Sequence, residues 1–243
     1  MRKKILPIFL LVALCLVSFF SCRKDTLSTA DATRGYFPLT LGKSVTYAVD
    51  STLYYGPPGT TRHVSMLFRY TISDTVTYNK KTAYLMDIYS TPYVGGIWTA
   101  CGEIIITPTP TSLLYAENNV NYIKMIFPIA NGTTWKGNQY AVTPDSLYSY
   151  LYNWDYTYAN FGLSYFNGRV NFDHTVSLLE DDENVDYQNV DSAVAGYRTY
   201  AKEVYAYGVG MIYKEWTHYT FGPPDTVQNK NGYSVTMRAI DYN

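Results

Sequence analysis

Between His63 and Ser73 the chain alternates, with Val64, Met66, Phe68, Tyr70 and Ile72 on one face and Ser65, Arg69, Thr71 and Ser73 on the other. Side chains of an extended strand point to opposite sides in turn, so a period of two sets one row on a core and leaves the other to solvent. The pattern recurs. Val45, Tyr47 and Val49 form one row, Tyr84, Met86 and Ile88 another, and Ile123, Met125 and Phe127 a third. Val176 with Leu178, Met211 to Tyr219 and Tyr233 to Ala239 continue it toward the C-terminus. Gly56-Pro57-Pro58-Gly59, Asn79-Lys80, Gly95-Gly96, Asn118-Asn119, Asn131-Gly132, Gly222-Pro223-Pro224 and Asn231-Gly232 carry the residues that reversals need. Eight to eleven short strands at this spacing predict a mainly all-β chain, a single antiparallel β-barrel or a strongly curved half-barrel. Short helices are expected only at Pro144 to Asn153 and at residues 191 to 203.

The N-terminus follows a different rule. Arg2, Lys3 and Lys4 precede an apolar run from Ile5 to Phe20, the basic and apolar regions of a secretory signal peptide. Sixteen apolar residues fall short of the roughly 20 that a helix needs to cross the hydrocarbon core. Phe19-Phe20-Ser21-Cys22 resembles a lipobox, in which a small residue precedes the cysteine that is acylated before cleavage; Phe19 stands where leucine is usual. The expected organisation is a lipoprotein signal peptide over residues 1–21, an acylated Cys22 with a polar tether over 22–35, and one β domain over 36–243. An ordinary cleaved signal is the alternative. Cys22-Arg23-Lys24-Asp25 resembles the signals that send such lipoproteins to the outer face of the cell, although Asp25 stands alone where two acids are typical.

Loss of residues 1–21 removes three of the 19 basic residues and none of the 20 acidic ones, leaving a net charge of −4. No basic run appears, which argues against nucleic acid as a partner. Cys15 departs with the signal and Cys22 carries lipid, so Cys101 has no partner for an intrachain disulfide and reads as a small buried hydrophobe.

Several segments resemble uncharacterised outer-membrane lipoproteins of Bacteroidetes-type bacteria. They are Gly35-Tyr-Phe-Pro-Leu-Thr-Leu-Gly42, Asn131-Gly-Thr-Thr-Trp-Lys-Gly-Asn138, Glu203-Val-Tyr-Ala-Tyr-Gly-Val-Gly-Met-Ile-Tyr-Lys-Glu215 and Gly232-Tyr-Ser-Val-Thr-Met-Arg-Ala-Ile-Asp-Tyr-Asn243. The resemblance implies an envelope lipoprotein with an antiparallel β domain, lipocalin-like or lipoprotein-carrier-like, and no assigned activity. Read physically, Phe37-Pro38-Leu39 docks the chain onto the barrel, and Gly208 and Gly210 mark a bulge or bend.

The residues that carry chemistry are scattered. His63, His174 and His218 fit no metal-ligand spacing, no GxSxG elbow appears, and no cofactor is expected. The acidic run Glu180-Asp181-Asp182-Glu183 with Asp186 lacks the alternating ligands and glycine of a calcium loop and reads as a solvated hairpin tip. No catalytic residue is assigned. If residues 148–158 are extended, Tyr148, Tyr150, Tyr152, Trp154, Tyr156 and Tyr158 form one stripe. Such a stripe stacks on sugars, lines a mouth for an apolar ligand, meets another protein, or packs as a plain tyrosine ladder. The expectation is a non-enzymatic envelope protein, held to the membrane by its lipid, that binds a glycan, an apolar molecule or an envelope protein. A structural component of the outer membrane and a glycan hydrolase are the alternatives.

Overall fold

The computed structural model describes residues 32–55, 60–78, 80–118, 120–141, 149–185, 196–222 and 230–243. These residues form twelve antiparallel strands in a nearly closed barrel. The first half comprises β1 (Ser44–Tyr55), β2 (Thr61–Tyr78), β3 (Lys81–Thr91), β4 (Thr99–Pro108), β5 (Ser112–Glu117) and β6 (Val120–Ile126). The second comprises β7 (Thr134–Lys136), β8 (Asp155–Phe166), β9 (Asn171–Val185), β10 (Gly196–Ala206), β11 (Gly210–Phe221) and β12 (Lys230–Tyr242). Each half is a meander, and they join where β1 pairs with β12, so the spatial order runs from β6 back to β1 and from β12 back to β7.

The alternation fixes which face is inside. Tyr47 pairs with Ala239 and Phe68, and Val49 with Met237 and Met66, so the rows read in β1, β2 and β12 line the lumen. The expected row Ile123, Met125 and Phe127 is broken: an extra residue at Lys124 sets Met125 opposite the inward Leu113 but Ile123 opposite Leu114 on the other face. Ile72, Met86, Ile104, Ile106, Leu113 and Met125 fill one side of it and Val176, Leu178 and Tyr205 the other. At the seam, β6 and β7 share no ladder. The Ile123 N–H donates to the Gly137 carbonyl at 2.8 Å and the Trp135 indole to the Ile123 carbonyl at 2.7 Å. The Tyr158 hydroxyl takes the Ile126 N–H and returns a bond to the Ile126 carbonyl, each at 3.1 Å.

The antiparallel order gives the barrel two ends. At the base, where β1 begins and β12 finishes, a 3-10 turn at Arg34–Tyr36 lies across the opening. Arg34 donates to the carbonyls of Thr109 and Pro110, and the Gly35 carbonyl accepts the Gly208 N–H at 2.7 Å. Tyr36 packs on Phe161 and Tyr207, and Phe37 on Tyr115 and Tyr205. The opposite end, at the β3–β4 and β5–β6 connections, is the mouth.

Several expectations are corrected. Asn231-Gly232 makes no reversal: both residues lie inside β12, and Gly232 sits between Tyr54 and Tyr219. Residues 196–203 form the start of β10 rather than a helix; Thr199, Ala201 and Glu203 are buried in alternation, and strands on both flanks supply the ladder. Within Pro144 to Asn153 the described part is a single 3-10 turn at Ser149–Leu151, while residues 142–148 and 191–195 lie outside the described residues. Gly208 (φ 76°) and Gly210 (φ 104°) build the tight β10–β11 turn, and the bulge follows it in β11, where Ile212 has no opposite number between Met211, paired with Tyr205, and Tyr213, paired with Val204. Cys101 is exposed: it is the extra residue of a bulge in β4, between Gly102, opposite Ile88, and Ala100, opposite Tyr89.

Gly232 has a strict steric basis, with φ at 143° and a Cβ position 2.2 Å from the His218 carbonyl oxygen. We expect Gly232→Ala to destabilise the protein by about 3 kcal/mol in urea unfolding, the upper range for forcing an atom into a packed site; Ala at the open turn residue Gly132 lacks that clash.

Candidate functional site

The centre of the lumen is charged. Leu178 pairs with the inward Glu203, so alternation along β9 points Glu180 inward as well, where it is fully buried. Leu179 pairs with Lys202 and Asp181 with Ala201, so Glu180 is also an extra residue with no opposite number, and the bulge shifts the phase of the strand from Asp181 onward. The acidic run is therefore strand, not a solvated hairpin tip: Asp182 pairs with Arg198 at 2.7 Å, Glu183 accepts from the Tyr197 hydroxyl, and Asp186 lies outside the described residues.

Lys124 on β6 reaches across the lumen to Glu180 at 2.5 Å and to both oxygens of Glu203 on β10 at 3.1 Å. Lys214 on β11 donates to Glu203 Oε1 at 2.9 Å, and the Tyr205 hydroxyl to Glu203 Oε2 at 2.5 Å. Glu203 is thus held by two ammonium groups and a hydroxyl, which outweigh burial and bring its carboxyl down to about 2. Glu180 moves the other way: burial, then the neighbouring Glu203, raises its carboxyl, and its Oε2 has no hydrogen-bond partner. Asp181 is pushed up to about 6, by burial first and by Glu183 second. Tyr47, Tyr115, Tyr156 and Tyr205 ring the cluster, and burial raises all four phenols well above their ordinary value.

Below Lys214 the remaining space is about 60 Å³, bounded by Tyr47, Tyr70, Tyr115, Tyr205, Lys124 and Glu203. Above it the mouth opens into a concavity of about 300 Å³. Tyr122, Tyr150, Trp216, Tyr233 and Val235 form the wall, and Glu117, Asn118 and Lys214 the polar floor. Tyr150 is clamped there: its ring stacks on His218 with centroids 3.7 Å apart and its hydroxyl meets that of Tyr233 at 3.1 Å. Thr199 Oγ1 lies 3.0 Å from His218 Nδ1, and burial lowers the imidazole pKa.

The aromatic stripe is divided by the fold. Only Tyr150 among its described members lines the mouth. Tyr152 is exposed on a turn beside it, whereas Trp154, Tyr156 and Tyr158 are buried at 4%, 1% and 1% exposure. Trp154 packs on Trp216, Tyr156 donates to Asn138 Oδ1, and Tyr158 closes the seam. Strict alternation fails because the chain is a 3-10 turn at Ser149–Leu151 and becomes strand only at Asp155. Tyr148 and Cys22 lie outside the described residues. Trp216, Tyr122, Tyr233 and Lys214 were hidden in the sequence among other strand residues, since β6 at one end of the sheet and the paired β11 and β12 bring them together. Among the described residues, no group of three His, Cys, Asp or Glu side chains is placed to hold a metal ion, and no helix is long and apolar enough to cross a membrane.

No protein-family model matches the chain, and no curated protein does. Similar solved structures include the following two. One is a protein assigned as exported, with a YmcC-like fold, from Bacteroides fragilis; it is 12% identical with a TM-score of 0.37, over 84% of this chain and 98% of that one. The other is a protein assigned as a lipoprotein from Parabacteroides distasonis, 12% identical with a TM-score of 0.26, over 84% of this chain and 98% of that one.

The charge cluster makes two predictions. Lys124→Met leaves two buried carboxylates without their shared cation and is expected to cost about 3–5 kcal/mol in denaturant unfolding. Because Glu203 is held at about 2, below its ordinary 4.5, the folded state resists protonation there. That stability is fully present above about pH 4.5 and is lost as pH falls toward 2. Glu180 opposes it, since a raised carboxyl takes up its proton more readily when folded. In Glu203→Gln the acid loss of thermal midpoint should flatten; an unchanged profile would count against the cluster as its source.

Proposed function

We propose that this chain is a lipid-anchored protein of the bacterial cell envelope whose barrel mouth binds a neutral, hydroxyl-rich ligand of the glycan class without turning it over. The mouth concavity carries this reading: about 300 Å³, at the lower end of small-ligand sites, with aromatic walls above a floor of ammonium, carboxylate and amide. Ring faces suit the C–H faces of a sugar, and the floor groups suit its hydroxyls.

The interior supports a short polar ligand over a long apolar chain. Beneath Lys214 the lumen is filled, and the space of about 60 Å³ left there has room for a few water molecules and is bordered by charge. An anion is disfavoured too, because Glu117 and Glu203 flank the Lys214 ammonium. Glu180 and Glu203 are bonded to ammonium groups below the mouth, an arrangement that favours binding over hydrolysis. A second reading, docking of an envelope protein, draws on the β3–β4 connection, where Tyr93, Val94 and Ile97 are 66%, 84% and 88% exposed. A stoichiometric partner lost on Val94→Ser, Ile97→Ser would favour it.

The test is a titration of the full acylated protein in detergent with envelope oligosaccharides and with long-chain lipids, following tryptophan fluorescence. A saturable response to oligosaccharide is expected, weakened about tenfold or more in Tyr150→Ala, Trp216→Ala, since each stacked ring contributes about 0.5–1.5 kcal/mol. Saturation by lipid alone, or an unchanged response in the variant, would overturn the assignment.

A further inference from the structure

We infer that the base of the barrel is a seat for the lipid bilayer, which turns the mouth away from the membrane. The inference rests on the anchored-lipoprotein reading and adds a surface and an orientation to it.

The start of the described chain is pinned to the base by three independent contacts. Thr33 Oγ1 accepts the Ile129 N–H, Arg34 donates to the β4–β5 turn, and the Gly35 carbonyl accepts from the β10–β11 turn. Ten residue steps lead from Cys22 to Ala32, a reach of at most about 35 Å when fully extended. A lipid on Cys22 therefore draws the base, and not the mouth, toward the bilayer.

That same end carries apolar side chains in water. Phe166 is 63% exposed, Leu41 and Tyr207 are each 55%, Tyr242 is 46% and Val170 is 41%. They occupy the loop before β1, the end of β12, the β10–β11 turn and the β8–β9 tip, which folds onto the outer wall beside the base, with Gly168 against Arg238 and Tyr165 on Tyr213. The β8–β9 tip is held rigidly. Asn167 accepts from the N–H groups of Arg169 and Val170 and donates to the carbonyls of Ile212 and Ala239. Phe166 and Val170 are thus presented on a fixed support with the exposed Arg169 between them. Apolar groups with a cation among them, and tyrosines whose hydroxyls reach the polar layer, match the boundary between acyl chains and lipid phosphates. Tyr93, Val94 and Ile97, by contrast, lie at the mouth end.

The experiment uses the acylated full-length protein in vesicles of phosphatidylethanolamine and phosphatidylglycerol with brominated acyl chains. Phe166→Trp and Tyr93→Trp are each read against the unsubstituted protein, whose four tryptophans are a common background. The Phe166→Trp reporter should lose most of its added emission to bromine and the Tyr93→Trp reporter almost none. Quenching of the Tyr93→Trp reporter alone, or of neither, overturns the seat. Flotation of Cys22→Ser with unbrominated vesicles judges the anchor separately: release supports it, whereas unchanged flotation rejects the anchor and leaves membrane contact to the base itself.

Discussion

The Lys124 ammonium is the contact on which the rest of the barrel depends. It rises from β6, a strand with a ladder on one side only, and ends against carboxylates of β9 and β10 in the other half of the sheet. The ends of the sheet that share no ladder are thereby tied through the lumen. Buried charges are tolerable only when each meets its opposite, and here the geometry meets that condition closely. Glu203 is held by two ammonium groups and a hydroxyl, while Glu180, two residues on from the inward Leu178, meets Lys124 from β9.

The tyrosines follow from the same wide lumen. A twelve-stranded wall encloses more space than aliphatic side chains fill, so large rings take up the difference. Each buried phenol then needs a partner for its hydroxyl. Tyr47 finds the Met211 carbonyl, Tyr156 the Asn138 side chain, Tyr158 the Ile126 backbone and Tyr205 the Glu203 carboxylate. Rings and their hydroxyl partners together fill the lumen up to Lys214 and leave an aromatic concavity of about 300 Å³ above it. A second concavity of about 320 Å³ lies against Ile105, Leu114 and Tyr140; the binding reading rests on the mouth because ammonium, carboxylate and amide groups meet aromatic rings there.

Much of the wall was legible residue by residue. The rows at Val45, Val64, Tyr84, Val176 and Tyr233 became lumen-facing rows, because a period of two leaves no freedom over which side chains share a face. Failures came where a local signal was overruled by a neighbour. Asn231-Gly232 reads as a turn, yet glycine is there because Tyr219 and the His218 carbonyl crowd its α-carbon. Residues 196–203 read as helix because Ala, Lys and Glu favour it, but two flanking strands supply the hydrogen bonds. The acids of β9 read as solvated because charge prefers water, until Lys124, far away in the chain, offers a better partner than water for one of them.

The sequence by itself determined an all-β antiparallel wall and the faces of its strands, because these depend on the spacing of neighbours along the chain. It also carried the signal-like N-terminus and the lipobox-like cysteine. Only the tertiary structure decided that β1 zips to β12 while the seam falls between β6 and β7, that Glu180 and Glu203 meet Lys124 and Lys214, and that Tyr150 joins Trp216 and Tyr233 while Tyr156 and Tyr158 are buried. These arrangements rest on register and bulges, which relate residues far apart in the chain. A single strand's pattern holds no information about which partner it will meet or where a bulge will shift it.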